Sequence, residues 1–158
     1  IAAMREAMRI AKEDNRYDRV VFIDSDVVFK RGIPEQYMDS VFKGAGFFFH
    51  LGEHRARIQT GIESGFIGFS RENKGFKFLQ IVIDSFVTKD FRRFDRWDDG
   101  YVFRRLWEEH PEIPSKDVVG KHPLKPYAHV VRYGAFAKYL EHEKGCHTRK
   151  HGLFERPI

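Results

Sequence analysis

Val20-Val21-Phe22-Ile23-Asp24-Ser25-Asp26-Val27-Val28-Phe29 is the stretch on which the reading of this chain turns. Four apolar residues, three β-branched and one aromatic, run into two carboxylates separated by one serine. An unbroken apolar run predicts a strand over 20–23 covered on both faces, as the central parallel strands of α/β sheets are. In an extended chain residues i and i+2 point the same way. Asp24 and Asp26 are therefore expected to aim at one point past the strand end, where open α/β sheets bind ligands. Two carboxylates about 4 Å apart repel by about 4 kcal/mol at an effective dielectric of about 20, so a shared proton, a base or a cation must offset them. Oxygen ligands of this kind suit Mg²⁺ or Mn²⁺. The competing reading makes Asp24 and Asp26 plain loop acids that cap a turn.

Around that stretch the chain reads as one α/β domain. Its 158 residues, 42% hydrophobic and 15% aromatic, can bury a core and do not look disordered. No apolar run approaches the ~20 residues of a membrane span, and there is no signal-peptide pattern. Cys146 is the only cysteine, which excludes an internal disulfide and a Cys-based zinc cluster. A cytoplasmic protein is expected, membrane-peripheral association being the variant. The net charge of +5 lies in residues 121–158, where eight Lys and Arg face three acids, together with five of the eight histidines. Such a segment is a solvated face or an anion site.

Ile1, Met4, Met8 and Ala11 fall at helical spacing and predict an amphipathic helix ended by Asp14-Asn15. That helix has no start signal, and the chain is expected to be a piece of a longer protein. A short helix is predicted from Pro34 to Phe42, ended by Lys43-Gly44, with Pro34 suited to its start. A second strand is expected over 45–50. Beyond it, His50, Glu53 and His54 form a candidate metal-ligand group with no helix to set their spacing. Thr60 to Ser70 reads as an apolar strand holding three glycines, a sign of close backbone approach or a bulge. Glu63 lies just before its apolar part, as a surface acid or as a residue facing a site. Phe76, Leu79, Ile83 and Phe86 mark the core face of a long helix. Asp90 to Arg96 reads as a loop. Asp98 or Asp99 is placed to cap a helix carrying Val102, Phe103, Leu106 and Trp107, or to sit in a substrate pocket. Val118-Val119 reads as a brief extended segment. Tyr133 to His142 reads as a short helix with Phe136, Tyr139 and Leu140 inward, ended by Gly145. His142 suits a third ligand to a divalent ion, and Lys144 with glycine-exposed N–H groups suits a diphosphate.

Taken together, these motifs resemble those of a GT-A glycosyltransferase of the family 8 type, which includes glycogenin and bacterial lipopolysaccharide glycosyltransferases. Phe22-Ile23-Asp24-Ser25-Asp26 is similar to that family's strand-end D-x-D. Glu63-Ser64-Gly65-Phe66-Ile67 resembles its N-S-G segment, with Glu in place of Asn. Trp97-Asp98-Asp99 is similar to its D-Q-D segment without the glutamine. His142-Glu143-Lys144-Gly145 resembles its late H-x-x-G, and the K-P-W that follows in the family is absent.

The resemblance implies a GT-A fold, a mixed sheet with flanking helices, whose N-terminal nucleotide-binding units lie outside this chain. It implies that a metal, Mn²⁺ or Mg²⁺, is held by Asp24, Asp26 and His142. Asp24, Ser25, Asp26, Lys144, Gly145, Arg149 and Lys150 would hold the nucleotide diphosphate. Glu63, Asp98 and Asp99 would act at the sugar. The expected partners are a nucleotide-sugar donor, a UDP-sugar above all, and a glycan, lipid-linked or protein acceptor. Transfer would retain configuration. Two rivals remain. A haloacid-dehalogenase-type phosphatase would use Asp24 as nucleophile, but that motif continues to a Thr where this chain has Val28. A nucleic-acid-binding domain would use the basic C-terminal segment with Phe136, Tyr139 and Phe154 as stacking residues.

Overall fold

The computed structural model describes residues 1–49, 62, 64–118, 131 and 136–142. Helix α1 (Ala2–Glu13) leads into β1 (Arg19–Ile23), then β2 (Val27–Phe29), α2 (Glu35–Phe42) and β3 (Phe47–Phe49). After β4 (Phe66–Ser70) come α3 (Gly75–Val87), α4 (Asp99–Glu109), β5 (Ser115–Asp117) and β6 (Leu140–His142). Two 3₁₀ turns, Glu72–Lys74 and Asp90–Arg93, flank α3.

The protein is a mixed α/β structure with flanking helices. Its main sheet has the order β1-β4-β3-β5, antiparallel except for the parallel β3–β5 pair. A second, two-stranded sheet pairs β2 with β6. Strand alternation sorts the aromatic side chains of the main sheet into two cores. Phe47, Phe49, Ile67 and Phe69 join Met4, Met8 and Ala11 of α1, the inner face of α3, and Val102, Phe103 and Leu106 of α4. Phe48 and Phe66 face the other way, onto Val41 and Phe42 of α2 and onto Phe136, Tyr139 and Leu140. Gly68 lies on that second side because the ring of Phe48 occupies the space a Cβ would need. Among the described residues no helix is long and apolar enough to cross a membrane.

Several elements match their sequence signals. The buried residues of α1 are Met4, Met8 and Ala11, and Asp14 caps its end. Pro34 precedes α2, which stops at Phe42. The core face of α3 is wider than its four marker residues, since Phe78 and Val82 are also buried while Phe86 only packs against the core.

Three elements differ. The apolar run over 20–23 does form a strand, but not a central parallel one. It is antiparallel to β4, no described strand lies on its other side, and of its residues Val20 alone is buried. Both its faces do carry core-facing residues, Val20 and Phe22 on one side and Val21 and Ile23 on the other. An apolar run therefore reported two covered faces without reporting which rung of the sheet it fills. The wholly buried rungs are β3 and β4. Near Val118 the extended segment is displaced upstream to Ser115–Asp117, where it pairs with β3. Residues 136–139 form a turn and 140–142 a strand rather than a helix. The inward positions of Phe136, Tyr139 and Leu140 hold, but pairing with β2 overrides local helical preference, as tertiary context does for short segments.

Candidate functional site

The site grows from the end of β1. Asp24 N–H donates to Gly65 O at 2.9 Å, extending the β1–β4 ladder by one pair. Val27 N–H then donates to Asp24 O at 3.1 Å, closing a four-residue turn over Asp24-Ser25-Asp26-Val27. Asp and Ser favour such turns because their short polar side chains hydrogen-bond nearby backbone. The turn corrects the argument from strand alternation. Asp24 and Asp26 are not two residues of one extended segment, since the chain reverses between them to enter β2. It is the turn that groups Asp24, Ser25 and Asp26, and all three are exposed.

Two other stretches singled out in the sequence meet this turn. Gly65 of the Ser64-Gly65 segment accepts the bond from Asp24 just described. Across the second sheet, Val27 faces His142 in the β2–β6 register, so the residue after Asp26 is the partner of His142. Of His142 the backbone alone is described. Glu63, Lys144, Gly145, Arg149 and Lys150 lie outside the described residues, as do His50, Glu53 and His54.

The Trp97-Asp98-Asp99-Gly100 segment joins from the opposite side. Ile62 N–H donates to Gly100 O at 2.9 Å, so Ile62, two residues before Ser64, lies against the first turn of α4. Gly100 is required there, because a Cβ at that position would overlap the carbonyl oxygen of Ile62. Asp98 is the N-cap of α4. Its Oδ1 accepts from Tyr101 N–H at 3.1 Å, and its Oδ2 accepts from Arg96 Nε at 3.0 Å and pairs with Arg96 Nη2 at 2.7 Å. Asp99 Oδ1 accepts from Gly100 N–H at 2.8 Å, and no described residue bonds its other oxygen. Both carboxylate oxygens of Asp98 are thus bonded within the fold, whereas among the described residues Asp99 uses one of its two.

Backbone contacts therefore run in sequence from His142 to Val27, through the Asp24 turn to Gly65, and from Ile62 to Gly100. Among the described residues no group of three or more His, Cys, Asp or Glu side chains stands ready to hold a metal ion. The donor chemistry fits a divalent cation all the same. Asp24 and Asp26 on one turn, with the backbone of His142 opposite the next position, are residue types that Mg²⁺ and Mn²⁺ take as ligands. Lys30 and Arg31 belong to no motif in the sequence, and only the fold brings them onto residues 137–139. The available signal was a pair of bases directly after an apolar strand.

No protein-family profile matches this chain, and no curated protein matches it in sequence.

Proposed function

We propose that this chain is the metal- and sugar-side part of a GT-A, family 8-like glycosyltransferase, which moves a sugar from a UDP-sugar to a glycan, lipid-linked or protein acceptor. The observation that carries the reading is the meeting of segments distant in sequence. Gly65 bonds Asp24, and His142 pairs with the residue after Asp26.

In this reading Asp24, Asp26 and His142 hold Mn²⁺ or Mg²⁺. The chemistry such a cation supplies when bound is neutralisation of the leaving nucleoside diphosphate. Lys144, Arg149 and Lys150 add fixed positive charge where the leaving group gains negative charge, and Ser25 and Gly145 offer hydrogen bonds to it. Asp99 and Glu63 hold sugar hydroxyls, whereas Asp98 acts on them through the N-terminus of α4 that it caps. Donor binding is expected to depend on metal and to fall by at least about tenfold in Asp26→Ala, the scale on which groups around a metal act. Calorimetric titration of the full-length protein with UDP and UDP-sugars, with and without Mn²⁺, measures it. Absence of metal-dependent binding of any nucleotide, or equal binding by Asp26→Ala, would refute the reading.

A further inference from the structure

The β2–β6 ribbon is only three residues long on each strand. Isolated two-stranded ribbons are marginal, and a slip of one residue exchanges the faces of every side chain. Here a slip would replace His142 by a neighbour as the partner of Val27. Something outside the ribbon has to hold its register.

Two bases directly after β2 are built to do so. Lys30 N–H donates to Tyr139 O at 2.8 Å and its ammonium group donates to Ala137 O. Arg31 N–H donates to Tyr139 O at 3.4 Å and its Nε to Lys138 O at 2.9 Å. Three successive carbonyls of the turn before β6 are thereby bound from the end of β2. The Arg31 guanidinium also lies 5.2 Å from the ring centroid of Tyr139. Lys138 Nζ stands 4.7 Å from the ring of Tyr37 and 4.8 Å from that of Tyr139. Tyr37, on α2, lies 5.0 Å from Tyr139 and 5.4 Å from Phe136 between ring centroids, which ties the turn to the second core. Charged donors to carbonyls and cations over aromatic rings are among the stronger contacts available at a half-exposed surface. A slipped ribbon would lose them together.

We propose that Lys30 and Arg31 are positioning residues that clasp the Ala137–Tyr139 turn, set the β2–β6 register, and so keep residue 142 beside the Asp24–Asp26 turn. The clasp itself stands on geometry alone. Its consequence for metal affinity rests on the glycosyltransferase reading above.

The test uses the full-length protein and its Arg31→Met and Lys30→Met/Arg31→Met variants, with Arg31→Lys as the conservative control. Amide hydrogen exchange reads the ribbon, and Mn²⁺ titration followed by electron paramagnetic resonance reads the site. Exchange at β2 and β6 is expected to quicken about tenfold or more in Arg31→Met, while amides of α3 and β4 keep their protection. The Mn²⁺ dissociation constant is expected to rise about tenfold, with Arg31→Lys between wild type and Arg31→Met. Unchanged exchange in the ribbon overturns the clasp. Faster exchange with unaltered Mn²⁺ affinity overturns the positioning role. A wild-type chain that binds Mn²⁺ no better than Asp26→Ala overturns the metal reading instead, and the clasp is then judged by exchange alone. Should the double variant fail to fold, Arg31→Met carries the comparison.

Discussion

The two sides of the main sheet are packed by different kinds of structure. On one side lie three helices, α1, α3 and α4, each a continuous segment whose apolar residues recur at helical spacing. On the other lie the short α2, the turn at 136–139 and the β2–β6 ribbon, whose pieces come from far apart in the chain. The helical side is stabilised by large apolar faces, each contained within one helix. The ribbon side exists only when β6 has found β2. Loop closure over such a separation costs entropy before any contact returns it. The candidate site sits at the junction, held by β1 and α4 from the helical side and by β6 from the ribbon side.

Cutting one large ring from each side would show whether they unfold together. Phe47→Ala removes a wholly buried ring from the helical core, stacked 4.3 Å from Phe78, and is expected to cost about 3–5 kcal/mol of global stability in urea denaturation. Phe136→Ala removes an equally buried ring on the ribbon side, 4.6 Å from Phe66. Its loss is expected to fall on the β2–β6 ribbon, with amide protection in α1 and α3 retained. Protection lost uniformly in Phe136→Ala would mean that the two sides form one cooperative unit.

Gly100→Ala probes the junction itself. Alanine in a helix is favoured over glycine by roughly 0.5–1 kcal/mol. The overlap of its Cβ with Ile62 O opposes this and is expected to win, for a net loss of about 1–3 kcal/mol. A neutral or stabilised variant, measured by the same denaturation, would show that the junction yields.

Asp98→Ala is expected to cost about 1 kcal/mol by loss of the α4 cap, whereas Asp98→Asn keeps an acceptor for Tyr101 N–H and most of that stability. The exposed Arg96 pair adds little to either difference. Under the glycosyltransferase reading, comparing UDP-sugar binding by the two variants separates a cap from a ligand-binding carboxylate. Full binding by Asp98→Asn assigns the residue to the cap.

The smallest effect lies wholly on the helical side. Glu109 of α4 accepts from Arg93 Nη1 at 2.7 Å and also pairs with its Nη2, joining the 3₁₀ turn to α4. The Arg93 hydrogen bonds hold the Glu109 carboxyl below its ordinary value of 4.5, against an opposing push from partial burial. A lowered folded value means stability that is complete above pH 4.5 and is lost as pH falls through the lowered value. Glu109→Gln is therefore expected to cost about 0.5 kcal/mol at neutral pH, since the pair is near the surface. The difference from wild type should close in denaturation curves as pH falls below 4.5 through the lowered value. A gap that persisted at low pH would assign the pair's contribution to packing rather than charge.

How much was legible follows the same division. Met4, Met8 and Ala11, the α3 face, and a cap of α4 at Asp98 or Asp99 could be read because each signal lies within one segment. The site was legible as a set of motifs. Its geometry was not: the Asp24–Val27 turn replaced strand alternation, and the segment read as a helix became a turn and β6 because its partner, β2, lies far upstream. Lys30 and Arg31 looked like surface bases, since nothing local links them to Ala137, Lys138 and Tyr139.

By itself the sequence determined α1 to α4, the strands β1, β3 and β4, and the identity of the acids at the end of β1, because periodicity and capping act within a few residues. Tertiary structure alone decided that β1 pairs antiparallel with β4, that Gly65 and residue 142 meet the Asp24–Asp26 turn, and that Asp98 rather than Asp99 caps α4. Those outcomes depend on hydrogen bonds between segments remote in the chain, and no local preference encodes which remote partner will satisfy a backbone group.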